Sequence, residues 1–135
     1  MRKLVSQFFV SVDGVIESPE RWHLGYYNEE MQAAVDSQIV EGDILLLGRT
    51  TYEVFAASWP TRGSDVPLAD RINSMPKLVA STTLDAVHWQ NSTLIRGNVA
   101  EELTRLKQQP GGHITISGSP TLVRSLLRYN LLDEL

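Results

Sequence analysis

Two segments of the chain share a pattern suited to binding phosphate: a buried strand, a glycine, a small hydroxyl residue and a helix. They are residues 47–51 (LGRTT) and residues 117–121 (SGSPT). Glycine lets a ligand approach the backbone, and a helix N-terminus offers unpaired N–H groups and the positive end of its dipole. Arg49 adds a fixed positive charge to the first turn. Two ordinary strand-to-helix turns are the alternative, and the pattern alone leaves both interpretations open.

Neither turn has the glycine spacing of a Rossmann or P-loop motif, so those standard nucleotide sites are excluded. A third polar segment, Ser81-Thr82-Thr83, follows another predicted strand. Its hydroxyls could bond a ribose or a 2′-phosphate, and they could equally be turn residues.

The end of the first predicted strand carries Asp13-Gly14. Asp13 could orient a substrate or relay a proton, or it could belong to a common Asp-Gly turn. The next loop holds Trp22, His23, Tyr26 and Tyr27. These aromatic side chains could form a lid over a planar ligand or cover the edge of the core.

Several other classes of chemistry are excluded by composition and spacing. The chain has no cysteine, its three histidines lack metal-ligand spacing, and no serine lies in a Gly-x-Ser-x-Gly context. The net charge is -4 and no run of Lys and Arg exceeds two residues, which argues against nucleic acid as a partner. No apolar stretch approaches the roughly 20 residues needed to span a bilayer. We expect no signal peptide, no membrane partner and a cytoplasmic location.

The elements that must position these residues alternate between strands and helices. Strands are predicted at residues 4–12, 43–47, 77–81, 93–96 and 113–117. The uninterrupted apolar run at 44–47 is typical of a parallel sheet that is covered on both faces. Four helices are predicted to begin at caps: Asn28, Thr50 in a capping box with Glu53, Asn98 with Glu101, and Ser119 followed by Pro120. A single α/β domain with a mainly parallel sheet follows.

An ordered set of short motifs covers nearly the whole chain. In chain order they are Ser11-Val12-Asp13-Gly14-Val15-Ile16; Asp43-x-x-Leu46-Leu47-Gly48-Arg49-x-Thr51-Tyr52-Glu53; Asn73-x-Met75-Pro76-Lys77-x-Val79-x-Ser81-x-Thr83-Leu84; Gly118-Ser119-x-x-Leu122-Val123; and Leu132-Asp133-Glu134-Leu135. This set resembles the dihydrofolate-reductase-like family, which includes the C-terminal reductase domain of the bifunctional riboflavin-biosynthesis deaminase–reductase.

The resemblance implies a three-layer α/β/α fold, a homodimer, NADPH as cofactor and a small-molecule substrate, with no metal. It implies that the cofactor phosphates lie between Gly48, Arg49 and Thr50 on one side and Gly118, Ser119, Pro120 and Thr121 on the other. Ser81 and Thr82 would lie near the adenosine ribose. Val12, Asp13 and Gly14 would border the nicotinamide and the substrate, with Asp13 as the candidate catalytic residue.

Two departures from the family pattern shape the expected function. Folate reductases carry a carboxylate in the first helix, and the nearest positions here are Met31 and Gln32, with Glu29 and Glu30 slightly earlier. The family also continues beyond residues 131–135, which look like the start of another element, so we expect a chain that lacks the C-terminal strands and exposes a sheet edge.

The favoured activity is therefore reduction of 5-amino-6-(5-phosphoribosylamino)uracil or a related sugar-linked heterocycle. The alternatives are a dihydrofolate reductase in the narrow sense, a non-catalytic nucleotide-binding module and a dimerising scaffold.

Overall fold

The computed structural model describes residues 1–135 as five strands and five α-helices. The strands are Leu4–Gln7 (β1), Gly42–Gly48 (β2), Lys77–Ala80 (β3), Ser92–Ile95 (β4) and His113–Ser117 (β5). The helices are Glu29–Glu41 (α1), Arg49–Ser58 (α2), Ala69–Ser74 (α3), Val99–Lys107 (α4) and Pro120–Arg128 (α5). Two 3-10 segments, Pro19–Arg21 and Leu24–Tyr26, lie between β1 and α1.

The strands form one sheet in the order β1-β5-β2-β3-β4, and every neighbouring pair is parallel. Successive side chains of a strand point to opposite faces, and the apolar run of β2 shows this directly. Leu45 and Leu47 pack in a buried cluster with residues of α1, α2 and α3, whereas Leu46 packs with residues of α4 and α5. The predicted three-layer α/β/α fold with a parallel sheet is therefore confirmed.

Because all strands are parallel, they end at the same edge of the sheet, which we call the carboxyl edge; the opposite one is the amino edge. The neighbours β2 and β5 lead into α2 and α5, and these two helices cover opposite faces of the sheet. A crevice opens at the carboxyl edge wherever neighbouring strands diverge in this way, and such crevices are the usual ligand sites of open α/β sheets. Both glycine turns lie there.

The predicted first strand, residues 4–12, is wrong beyond Gln7. Its only strand partner is β5, and the ladder ends where Gln7 pairs with Ser117. After Ser117, where β5 ends, the backbone turns away through Gly118, which has a left-handed conformation with φ of 70°. With no strand beside it, the segment after Gln7 leaves the sheet and makes a turn at Gly14, where φ is 90°.

The C-terminal segment runs along the outer edge of β1. Glu134 forms a parallel bridge with Val5, and the Ser6 N–H donates to the Glu134 carbonyl at 3.0 Å. The Asp133 carboxylate accepts hydrogen bonds from the Leu4 N–H at 2.7 Å and from Lys107 Nζ at 2.6 Å. Residues 131–135, which we predicted to begin a further element, form this isolated bridge, and they cover part of the sheet edge that we expected to be exposed.

A buried lysine joins the elements around β3. Lys77 is 1% exposed, and its Nζ donates to the carbonyls of Asn73 at 2.8 Å, Met75 at 2.9 Å and Gln90 at 3.0 Å. Its Nζ also lies 4.2 Å from the centre of the Trp89 ring. The Asn-x-Met-Pro-Lys motif thus closes the turn between α3 and β3.

None of the helices is both long and apolar enough to cross a membrane.

Candidate functional site

One hydroxyl joins the two glycine turns at the carboxyl edge. The Gly48 N–H donates to Ser119 Oγ at 2.9 Å, and Ser119 Oγ donates to Thr51 Oγ1 at 2.9 Å. Ser119 is only 8% exposed, so this link is shielded from water. The end of β2, the first turn of α2 and the start of α5 are therefore tied together through a single side chain.

The close approach of the two turns requires glycine at position 48. A Cβ atom at Gly48 would lie 3.1 Å from Ser119 Oγ and 3.3 Å from Ser119 Cβ, which is tighter than ordinary packing. On the other side, Gly118 and Ser119 are both left-handed, with φ of 70° and 58°. This backbone turns the Ser119 hydroxyl towards β2.

The helices that begin at these two turns have no side-chain cap. Asn28 caps α1 by accepting from the Met31 N–H at 2.9 Å, and Asn98 caps α4 by accepting from the Ala100 N–H at 3.0 Å, as predicted. In contrast, α2 starts at Arg49 after Gly48 with no side-chain hydrogen bond, so the predicted Thr50–Glu53 capping box is wrong. The physical reason is that the helix begins before Thr50, which places Thr50 inside the first turn.

The second of these helices begins where predicted, after Ser119 and with Pro120 in its first turn, but Ser119 does not cap it. The Ser119 hydroxyl is directed to Gly48 and Thr51 instead. The first-turn N–H groups of α2 and α5 consequently lack partners within their helices, and both sets lie at the carboxyl edge. Such groups can hold an anion.

The side chain of Arg49 extends the site towards the end of β3. Its Nη1 donates to Thr83 Oγ1 at 3.3 Å, and Arg49 is exposed. Ser81 Oγ accepts from the N–H groups of Thr83 at 3.2 Å and Leu84 at 3.1 Å, which makes it a turn-forming hydroxyl. Thr82 is exposed between them. Thr83 belongs to the hydroxyl run that the sequence indicated, although the residues implied by the resemblance were only Ser81 and Thr82.

The predicted substrate residues Val12, Asp13 and Gly14 lie in a separate turn. Asp13 Oδ1 accepts from Ser11 Oγ at 2.5 Å, the Val15 N–H donates to the same hydroxyl at 2.8 Å, and Val12 is fully exposed. No hydrogen bond joins this turn to Gly48 or Ser119. Thr50 and Thr121 are exposed in the first turns of α2 and α5.

Beside the second turn lies a mostly apolar groove of about 420 Å³. Its walls are Phe8, Val10, Ile16, Pro120, Val123, Arg124 and Leu135. Arg124 is the only charged side chain among them. The groove combines three distant segments of the chain, and apart from Pro120 none of these residues was predicted as part of the site.

The aromatic loop packs against the segment that follows β1. The rings of Phe9 and His23 are stacked with their centres 4.4 Å apart, and the Tyr27 ring contacts His23 edge-on at 5.8 Å. The Tyr27 hydroxyl donates to Gln32 Oε1 at 2.9 Å, and Gln32 in turn donates to Asp36. Partial burial and the negative charge of Asp36 raise the pKa of Tyr27. Gln32, one of the positions compared with the carboxylate of folate reductases, is thus an amide that is hydrogen-bonded to the Tyr27 phenol and to the Asp36 carboxylate.

No group of three or more His, Asp or Glu side chains is arranged to hold a metal ion. The polar groups of the two glycine turns and of the segment after β3 are instead hydroxyls, backbone N–H groups and one guanidinium. This donor set is suited to phosphate and ribose oxygens.

Comparisons with known proteins agree with this architecture. A family model described as the RibD C-terminal domain matches residues 2–135. The uncharacterized protein YyaP of Bacillus subtilis (strain 168) is 24% identical over 136 residues, covering 98% of this chain and 71% of YyaP. A crystal structure of a Shewanella sp. PV-4 protein, provisionally named a riboflavin biosynthesis protein, superposes on this chain with a TM-score of 0.71 at 20% identity. The superposition covers 98% of this chain and 73% of that protein.

Proposed function

This chain belongs to the RibD C-terminal domain family, and we propose that it is an NADPH-dependent reductase of the riboflavin-biosynthesis type. The observation that carries the proposal is the pair of uncapped helix N-termini, joined by Ser119, at the divergence point of β2 and β5. A dinucleotide has two adjacent phosphates to bind, and this crevice offers two adjacent sets of N–H donors.

The first turn would contribute Gly48, Arg49 and Thr50, and the second Gly118, Ser119, Pro120 and Thr121. The tight packing of Gly48 on Ser119 supports this fit, because it keeps the two turns at a constant separation. When bound, the cofactor supplies a hydride. The chain's own part is to bind and orient the two reactants.

Selectivity for NADPH over NADH would come from the place where Arg49 of the first turn meets the hydroxyl residues after β3. Arg49 reaches Thr83 there, close to Ser81 and Thr82. A guanidinium beside hydroxyl groups is a strong site for a 2′-phosphate, which NADH lacks. We therefore expect NADPH to be preferred over NADH.

The substrate we propose is a small sugar-linked heterocycle, with 5-amino-6-(5-phosphoribosylamino)uracil as the leading candidate. Val12, Asp13 and Gly14 would border it, and Asp13 would contact the substrate or a water molecule beside it. A homodimer, implied by the family, and a cytoplasmic location, expected from the sequence, stay predictions.

The direct experiment mixes the protein with NADPH and this uracil derivative and follows the absorbance of the reduced nicotinamide. Mass spectrometry of the product should show the gain of two hydrogen atoms. Dihydrofolate serves as the competing substrate. Oxidation of NADPH with dihydrofolate but not with the uracil derivative would replace our assignment with folate reduction, and oxidation with neither would contradict the proposed activity.

A further inference from the structure

A reduction of a C=N or C=O bond needs a proton as well as a hydride, and we propose that His23 donates it from Nε2. This inference rests on the proposed function, since it assigns a role in the same reaction.

His23 lies at the carboxyl edge, where the two glycine turns are. Its ring stacks on Phe9, the second residue after the end of β1. It also contacts Tyr27, which comes just before α1. Since α1 ends at Glu41 immediately before β2 begins, its last turn is at the amino edge and its first turn at the carboxyl edge. Both neighbours of the ring therefore place it on the ligand side of the sheet.

The orientation of the imidazole leaves one nitrogen available. Nδ1 lies within hydrogen-bond distance of the Pro19 carbonyl. A carbonyl oxygen can only accept, so Nδ1 must carry a hydrogen in this contact. Nε2 makes no hydrogen bond within the protein and is not enclosed. The contact with Pro19 thus fixes the ring and leaves Nε2 without a partner from the protein.

The groups packed against the ring are apolar or uncharged. Phe9, Trp22 and Tyr27 surround it, and no carboxylate, lysine or arginine forms an ion pair with it. Glu20 and Arg21, in the 3-10 segment that contains Pro19, are the nearest charged residues along the chain. Tyr27 is a poorer donor, because its hydroxyl is directed to Gln32 and its pKa is raised by partial burial and by Asp36.

The other histidines lie away from the crevice. His113 is the first residue of β5 and is therefore at the amino edge, 3.8 Å from a carboxylate oxygen of Glu41. His88 precedes Trp89, whose ring contacts Lys77 at the start of β3. Asp13 is at the correct edge, but its carboxylate accepts from Ser11 within an exposed turn.

Nε2–H of the His23 imidazolium would supply the proton to the nitrogen or oxygen of the reduced bond, while a bound dinucleotide would supply the hydride to the carbon and would be oxidised. The imidazole left behind is neutral and recovers its proton from water. Such general acid catalysis contributes about 10²–10⁴-fold to a rate.

The test compares the wild-type protein with H23Q and H23A, with H113Q as the matched control at the amino edge. We expect NADPH binding, measured by thermal shift, to be unchanged in all variants. With the uracil derivative as substrate, kcat of H23Q should fall about 100-fold or more while KM changes little. Added imidazole should restore turnover in H23A, which a purely structural role would not allow.

A second readout needs no turnover. In the protein labelled with ¹⁵N-histidine and kept free of NADPH, the uracil derivative should shift the Nε2 resonance of His23 but not those of His88 or His113. If H23Q turns over within twofold of the wild type, or if the Nε2 resonance does not move, the role of His23 is overturned while the proposed function stands. If the wild-type protein neither binds NADPH nor oxidises it, the proposed function is wrong and this role with it.

Discussion

At the scale of single residues, Ser119 both adopts a left-handed backbone conformation and links the two glycine turns through its hydroxyl. A left-handed backbone conformation costs a non-glycine residue roughly 1–2 kcal/mol, and Ser119 adopts one with φ of 58°. Its hydroxyl offsets that cost by accepting from Gly48 and donating to Thr51. Glycine at position 119 would remove the strain and also the link.

Ser119→Ala should therefore destabilise the fold by about 1–2 kcal/mol, because the half-buried Gly48 N–H would lose its partner. It should also weaken NADPH binding, since the two turns would no longer be held together. Denaturant unfolding and a binding titration measure the two effects. Ser125→Ala on the same helix is the control, because that hydroxyl only donates to the Thr121 carbonyl. Equal stability of the two variants would contradict the linking role.

Arg49→Ala should weaken NADPH binding about 10- to 100-fold, as expected for the loss of a charge-assisted contact. NADH should be affected less, since it lacks the phosphate that we place beside Arg49 and Thr83. Parallel titrations with both dinucleotides measure the ratio. Arg128→Ala removes the same charge from the last turn of α5, at the amino edge, and should change neither affinity. An equal loss of affinity for both dinucleotides would contradict the placement of the 2′-phosphate beside Arg49.

At the scale of elements, most strand and helix positions follow from sequence patterns. Asn28 and Asn98 mark helix starts because their side chains can cap, and the apolar run of β2 marks a strand covered on both faces. The errors occur where tertiary contacts override local preference. The first strand is shorter than its apolar sequence predicts because β5 offers no partner beyond Ser117. The role of Ser119 was also missed, since its true partners, Gly48 and Thr51, are distant in sequence.

The turn between α3 and β3 depends on Lys77. Burial lowers the pKa of this side chain to about 8, and its ammonium group is stabilised by three carbonyl oxygens and the Trp89 ring. Lys77→Met keeps the volume but leaves the carbonyls of Met75 and Gln90 without a donor. The Asn73 carbonyl still accepts from Gln90 Nε2 at 2.7 Å. We expect a loss of roughly 2–4 kcal/mol in the free energy of unfolding. Lys3→Met, at an exposed ion pair that solvent screens, should change the stability little. Similar losses of stability in the two variants would contradict the role of Lys77 in closing this turn.

The contact between the C-terminal segment and β1 predicts a dependence on pH. Partial burial raises the pKa of Asp133, but the hydrogen bonds from Lys107 and the Leu4 N–H and the charges of Lys107 and Lys3 outweigh it, so the pKa lies below 3.8. A carboxyl whose pKa is lowered by folding stabilises the protein above its unfolded pKa and loses this effect as the pH falls through the folded value.

Asp133→Asn should thus be less stable than the wild type at neutral pH by about 1–2 kcal/mol, allowing for the partial exposure of the carboxylate. The difference should shrink as the pH falls below about 4. Urea unfolding of both proteins between pH 7 and about 3 measures it. A difference that stays constant with pH would show that the charge of Asp133 plays no part.

At the scale of the whole molecule, the parallel sheet determines where a ligand can bind. Parallel strands gather all the loops that follow them at one edge, and the divergence of α2 and α5 opens a crevice between β2 and β5. The glycine turns of this crevice were predictable because they repeat a recognisable pattern. The apolar groove beside Pro120 was not, since its walls come from three segments that share no motif.

The central claim is that the crevice binds NADPH, and a thermal-unfolding titration tests it most directly. A ligand present at 100 times its Kd stabilises a folded protein by about 2.7 kcal/mol, which corresponds to a rise of roughly 10 °C in Tm for a domain of this size. We predict a rise of this order with NADPH, a smaller one with NADH at equal concentration, and the loss of the difference in Arg49→Ala. An unchanged Tm with both dinucleotides up to millimolar concentration would contradict the account.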